Sequence, residues 1–176
     1  MTDVHLVDRL EIADAVARYC RAIDRRMLDD LYDLYVPGGL DHHTGFSGTV
    51  EQFVPWLRTA TAAVAGTMHV IGNHLAEIRG DVAVAETYAT AYHWDEPGQD
   101  PVANYLSIVR YVDHFVRHDG AWRIRERWAA RERSFSLAGL VAPRLAPGPS
   151  GSIGPDDPIH ALLGRLRTGE LDDLER

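Results

Sequence analysis

A carboxylate at position 24 and nine histidines are the side chains of this sequence best suited to moving protons. Asp24 lies four residues after Cys20 and seven after Ala17, which puts it on the apolar stripe of a helix rather than on the face of Arg18, Arg21 and Arg25. A carboxylate leaning toward a core is costly unless something hydrogen-bonds it. Asp24 therefore either frays into solvent beside Arg21 and Arg25 or meets a donor from elsewhere in the chain. Histidine is the usual donor, because a carboxylate holds its tautomer and stabilises its cation. A neutral imidazole held this way can take an acidic carbon-bound proton, commonly one beside a carbonyl. The charge that then builds on the substrate oxygen must be met by hydrogen-bond donors.

The histidines divide by position. His69 and His93 fall inside strand-like segments, His5, His118 and His160 at ends or turns, and His114 near the solvent end of its strand. His42 and His43 follow a Gly38-Gly39 turn, from which one can reach a pocket mouth. His74 is five residues from His69, so a flat strand places the two on opposite faces, unless a bulge at Gly72 intervenes. Ala83, Ala85, Thr87, Ala89, Ala91 and His93 alternate onto one face. That row of small side chains either floors a cavity or lets a helix pack close. No histidine pair has the short spacing of His-Glu-x-x-His, so no metal site and no cofactor are expected. All 18 basic residues are arginine, which excludes a lysine Schiff base and a phosphate-loop lysine. There is no Gly-x-Ser-x-Gly elbow, and the single cysteine, Cys20, reads as inert core.

Elements must hold these groups in place. The spacing predicts a helix over 8–25 with Leu6, Leu10, Ala13, Ala17 and Cys20 as its apolar stripe. A second helix is expected over 28–35, ended by Pro37-Gly38-Gly39 read as a turn. A third follows Thr49, with Gln52 completing a capping box. From Thr67 on, β-branched and aromatic residues mark strands over 67–79, 82–94, 105–117 and 121–131. Gly80-Asp81 and Asp119-Gly120 make tight turns between them, and 95–101 is a looser loop. Three helices followed by a meander of long strands make an α+β domain, with helices packed on one face of a curved sheet. This domain is expected over 1–135. A tail over 136–176 carries a Pro- and Gly-rich linker from Pro143 and a short helix from about Asp156.

The 176 residues, 45% of them hydrophobic, suit one folded domain with a tail. A net charge of −8 argues against nucleic-acid and anionic-membrane surfaces. Residues 1–10 are too polar for a secretory signal and no apolar run reaches the length of a membrane span. A cytoplasmic location is expected.

Four stretches together resemble the SnoaL-like branch of the NTF2-like superfamily. They are Tyr19 with Asp24 on the first helix, 67–73 (Thr-Met-His-Val-Ile-Gly-Asn), Gly80-Asp81 before 83–87 (Ala-Val-Ala-Glu-Thr), and 119–124 (Asp-Gly-Ala-Trp-Arg-Ile). The resemblance covers residues 5 to about 135 and is nearest to the group of scytalone dehydratase, bile-acid 7α-dehydratase and hexachlorocyclohexane dehydrochlorinase. It implies a cone, with three N-terminal helices packed on a strongly curved, mostly antiparallel sheet around an apolar pocket. It implies a lyase of dehydratase type, independent of cofactors, acting on a hydrophobic cyclic substrate, with an isomerase or cyclase using the same base, or a non-catalytic ligand-binding module, as alternatives. In that pattern His69 is the base and Asp24 orients it, Tyr19, His93 and Arg127 match substrate-side positions, and these three with Tyr111 are the candidate donors to the substrate oxygen. Tyr19 and Asp24 differ by five helical steps, about 140° around the axis, and strand alternation groups Arg127 with Arg123 and Arg125. The serine and asparagine of scytalone dehydratase align near Val109 and Tyr111 and are not reproduced. The resemblance also implies a homo-oligomer, dimer or trimer, with Tyr88, Tyr92 and Trp94 on the outer sheet face.

Overall fold

The computed structural model describes residues 5–95 and 104–137, together with 160, 164, 167 and 168. The chain divides into two units, Met1–Ala142 and Pro143–Arg176. In the second, the Thr168 hydroxyl donates to the Gly164 carbonyl at 3.3 Å. The linker from Pro143, the start of the tail helix and most of the 95–101 loop lie outside the described residues.

The first unit is α+β. Helix α1 (Leu6–Asp24) leads through a 3-10 helix (Leu28–Asp33) into strands β1 (Tyr35–His43) and β2 (Phe46–Thr49). Helix α2 (Val50–Ala62) follows, and then β3 (Gly66–Arg79), β4 (Val82–Trp94), β5 (Tyr105–His118) and β6 (Ala121–Ser136). All six strands form one curved, unclosed sheet in the order β2-β1-β6-β5-β4-β3. Every pairing is antiparallel except β1 with β6, which is parallel.

Local signals account for most elements. Thr49 caps α2, and its N–H donates to the Gln52 side-chain oxygen at 3.1 Å, as the capping box requires. Asp119 and Gly120 both have positive φ, the backbone of a two-residue hairpin turn between β5 and β6.

Three expectations are corrected. The buried stripe of α1 is Ile12, Ala15, Val16, Tyr19, Cys20 and Ile23, while Leu6 and Leu10 are exposed. The heavier side chains at 12, 16, 19 and 23 form the continuous ridge, and Asp24 closes it. The second helix is a 3-10 turn that stops at Asp33. Pro37-Gly38-Gly39 is not a loop but the irregular middle of β1, between its pairings of Tyr35 with Ile124 and of Leu40 with Glu126. Gly38 takes φ +70°, and a Cβ on Gly39 would meet the Ile124 carbonyl at 2.9 Å, so these glycines serve a strand that bends rather than one that ends.

The core lies between the helices and the inner sheet face. Ala76, Ala83, Ala85 and Ala89 pack with Val16, Tyr19, Phe115 and Ile124 in one cluster. Small side chains let the helix approach there. The same face continues to Ala91 and His93, which line a cavity instead. Both readings of the alanine row hold, each for one end of β4. Among the described residues no helix is long and apolar enough to cross a membrane.

Candidate active site

The end of α1 is fastened before it presents Asp24. Arg26, at φ +57°, donates to the carbonyls of Ile23 (2.9 Å) and Thr61 (3.0 Å) and to the Thr67 hydroxyl (3.3 Å), tying α1 to α2 and β3. Asp24 is 8% exposed, so the frayed, solvated end is not what forms. Its Oδ2 accepts the backbone N–H of His69 at 2.9 Å, and its Oδ1 pairs with His69 Nδ1 at 2.6 Å and the Thr67 hydroxyl at 3.0 Å. Burial pushes the Asp24 carboxyl up. The hydrogen bond and positive charge of His69 outweigh that, with help from the backbone and Thr67, and hold it below the usual carboxylate range. With Nδ1–H donated to the carboxylate, Nε2 of His69 is left to act on whatever occupies the cavity beside it.

That cavity has a volume of about 280 Å³. Ile23, Leu57, Ala91, Val109 and Ala129 give it apolar walls, and His43, His69, His93, Tyr105, Tyr111 and Arg131 put polar groups around them. The His93 ring stacks on Tyr105 at 4.2 Å and meets the His69 ring edge-on at 6.4 Å. Burial, then the neighbouring charge of His69, lower His93 to about 4, so it is a neutral donor at pH 7. Among the described residues its Nδ1 finds no hydrogen-bond partner. Burial likewise raises the Tyr105 hydroxyl.

Tyr19 and Arg127 are placed elsewhere than at the cavity wall. Both are fully buried and neither lines the cavity. Arg127 grips both oxygens of Asp113 at 2.6 Å, and its guanidinium lies against the rings of Tyr19 (3.9 Å) and Tyr111 (4.6 Å), which meet each other edge-on at 5.7 Å. Simple alternation pointed Arg127 outward with Arg123 and Arg125. The β5–β6 register shows why it turns in: Phe115 pairs with Ile124 and His114 with Glu126, so Arg125 is an extra residue on β6 and reverses the alternation after it. A second bulge, between Ile71 and His74 on β3, puts His74 on the same face as His69, where it meets the Thr87 hydroxyl at 2.8 Å. Of the six candidates, then, His69, His93 and Tyr111 line the cavity, Asp24 holds His69 from behind, and Tyr19 and Arg127 lie beneath Tyr111. Cys20, pushed up to about 12 by burial, is core.

Residues outside the candidate set also gather here. Asp41 is fully buried and accepts the Tyr35 hydroxyl at 2.5 Å and His43 Nδ1 at 2.6 Å. The signal for this pair is the Asp-x-His spacing, two residues apart on one strand face. It is invisible while 37–39 is read as the end of structure. His42, between them, points the other way, to Ser47 (2.7 Å) and Glu126 (2.9 Å). Among the described residues no three His, Cys, Asp or Glu side chains converge as metal ligands.

Comparison with known proteins places this geometry. The family profile described as SnoaL-like domain matches residues 4–128. An uncharacterized protein of Mycobacterium tuberculosis is 28% identical over 123 residues, which is 68% of this chain and 82% of that protein. Among solved structures, LinA superposes with a TM-score of 0.71 at 20% identity, over 82% of this chain and 100% of that one. A scytalone dehydratase candidate from Novosphingobium aromaticivorans gives 0.68 at 18% identity, over 84% and 99%. The Kfla4162 protein of Kribbella flavida gives 0.67 at 23%, over 76% and 96%. At such identities the structural likeness is one of fold.

Proposed function

We propose that this chain, which belongs to the SnoaL-like domain family, is a cofactor-independent lyase of dehydratase type that removes a carbon-bound proton from a small hydrophobic cyclic substrate. The observation that carries this reading is the 2.6 Å pair of Asp24 and His69, with the imidazole on the wall of an apolar cavity and the carboxylate behind it. Solved structures named as dehydrochlorinases and as a scytalone dehydratase candidate share the fold, which supports an elimination.

In this reading Asp24 keeps the proton of neutral His69 on Nδ1, and Nε2 takes the substrate proton. Asp24 then faces an imidazolium at hydrogen-bond distance, which a partly buried carboxylate stabilises. Negative charge moves to a carbonyl oxygen, where neutral His93 and the Tyr111 hydroxyl on the same wall can donate. Loss of a β-hydroxyl completes a dehydration. Tyr19 and Arg127 act by holding Tyr111 in place rather than by touching substrate. A volume of about 280 Å³ lies at the small end of ligand cavities, roughly 300–1,000 Å³, and suits one or two rings.

The first test is His69→Asn, expected to lower turnover by about 10²–10⁴-fold; unchanged turnover would remove the base assignment. Return of the proton at another carbon would make the same site an isomerase or cyclase. Product mass separates the cases, since only dehydration loses a water.

Met68, Val70, Tyr88, Tyr92, Ile108 and Phe135 are exposed on the outer sheet face, where strand register makes them neighbours. Such a patch supports self-association as a dimer or trimer. Sedimentation should show a species heavier than the monomer, and Tyr88→Glu should shift it toward monomer.

A further inference from the structure

The cavity holds a third imidazole, which the proton-abstraction reading does not use. We propose that His43, held by Asp41, is the acid of the same reaction: it protonates the leaving oxygen of the substrate that His69 deprotonates. The inference rests on the reading of His69 as base.

The local structure repeats the logic of the Asp24–His69 pair with different elements. Strand alternation on β1 turns Asp41 and His43 inward and His42 outward. Each Asp41 oxygen has one donor, Oδ2 the Tyr35 hydroxyl and Oδ1 His43 Nδ1. The carboxylate is sealed from water, while the His43 side chain keeps 23% exposure and lines the cavity beside Thr44 and Trp56. Its ring leans on Phe53 at 5.2 Å and Trp56 at 6.4 Å, so its plane is fixed from the α2 side as well. A histidine serving only to satisfy Asp41 would gain nothing from opening onto the cavity. With Nδ1 committed to Asp41, Nε2 is the atom left for a ligand.

Position in the sheet separates the two imidazoles. β6, β5 and β4 lie between β1 and β3, so His43 and His69 reach one cavity from strands on either side of the three central ones. An occupant can thus meet one proton-transfer group from β1 and another from β3, the base and the acid that loss of water uses. Hydroxide is a poor leaving group, and the oxygen must gain a proton as the C–O bond breaks. Asp41 is the charged group bonded to His43; Tyr35 and Arg127 adjoin Asp41, Arg131, His69, His93, Tyr105 and Tyr111 line the same cavity, and the α2 side chains against the ring are Phe53 and Trp56.

The step balances as follows. His69 Nε2 takes the proton on carbon, and the C–H electron pair becomes the new C=C bond. The C–O bond breaks toward oxygen, which takes the Nε2 proton of the His43 imidazolium and leaves as water. His69 then returns its proton to solvent, and His43 takes one back.

Two probes test this, both eliminating to benzylideneacetone. One is the β-hydroxyketone formed by aldol addition of acetone to benzaldehyde; the other carries chlorine in place of that hydroxyl and needs no proton on its leaving group. Turnover of each is measured above the buffer rate for the full chain and for His43→Asn, His43→Gln, Asp41→Asn and His69→Asn. The expected result is a fall of about 10²-fold or more in the hydroxyketone-to-chloroketone turnover ratio for both His43 variants. Asp41→Asn should show a smaller fall, and His69→Asn should depress both probes alike. If the His43 variants lose both probes equally, or neither, His43 is structural and the inference is overturned, while loss of both probes in His69→Asn keeps the base assignment. If the full chain accelerates neither probe, the base reading itself falls and takes the acid with it.

Discussion

Two of the three buried carboxylates among the described residues, Asp113 and Asp24, meet nitrogen side chains of different kinds, and their surroundings give them different work. Asp113 and Arg127 are sealed, 1% and 0% exposed, with two parallel 2.6 Å hydrogen bonds and two aromatic rings against the guanidinium. Arginine does not give up its proton, so this pair stays charged and fixes the position of Tyr111. Asp24 and His69 are also close and mostly buried, but the imidazole opens onto a cavity and its proton can leave. Burial alone does not make a reactive pair. Reactivity needs a partner that titrates and a void beside it.

The contrast is sharpest in stability. Arg127→Met should destabilise the fold by about 3–5 kcal/mol in urea denaturation, because it strands Asp113 as an unpaired buried charge. Replacing both partners by apolar residues should recover most of that. A loss below about 1 kcal/mol would show that water reaches the pair, and the contrast would disappear.

The next effect belongs to the cavity side. His93 lies at about 4 when folded, below its ordinary value of 6.5. Between those pH values the unfolded chain binds the extra proton, so stability rises with pH across that window and falls on acidification from pH 7 toward 4. At most roughly 3 kcal/mol of the acid loss should come from this group. His93→Phe should flatten that part of the curve; parallel curves for the two proteins would contradict the burial of a neutral imidazole.

Asp24→Asn should cost less than Arg127→Met, about 1–3 kcal/mol, since the amide oxygen still accepts one of the two His69 N–H bonds and leaves no unpaired charge. Asp24 is held below its unfolded value, so its contribution is present above the carboxylate range and lost as pH falls through the folded value. The gap between variant and wild type should therefore close in acid. The smallest effect is expected for Tyr19→Phe, within about 1 kcal/mol, because the Tyr19 hydroxyl has no partner among the described residues.

What could be read in the sequence follows the same division between regular and irregular backbone. β4 begins and ends where alternation and its flanking turns put it, and the α2 start follows from Thr49 and Gln52 alone. Asp24 was legible as a misplaced carboxylate, whereas His69 stood beside His93 as one of two strand imidazoles until the family resemblance paired it with Asp24. The inward turn of Arg127 was not legible, because one extra residue in β6 defeats a period-two reading. Asp41 was hidden, and the choice between His42 and His43 left open, because Pro37-Gly38-Gly39 has turn composition but bulged-strand geometry. The α1 stripe was misassigned by counting steps of three and four without weighing side-chain size; Ile12, Val16 and Ile23 bury more than Ala13 and Ala17 do.

The surplus residue at Arg125 has a bearing on chains of slightly different length. β6 carries one amino acid more than β5 needs across that step, so a cousin lacking it would iron the kink flat while its counterpart of Arg127 still looked inward. Gaps belong at this spot when such chains are laid side by side. Counting straight through it would match a sealed guanidinium to a neighbour that faces water, and a designer trimming the strand could remove this one link and leave the orientation of all that follows untouched.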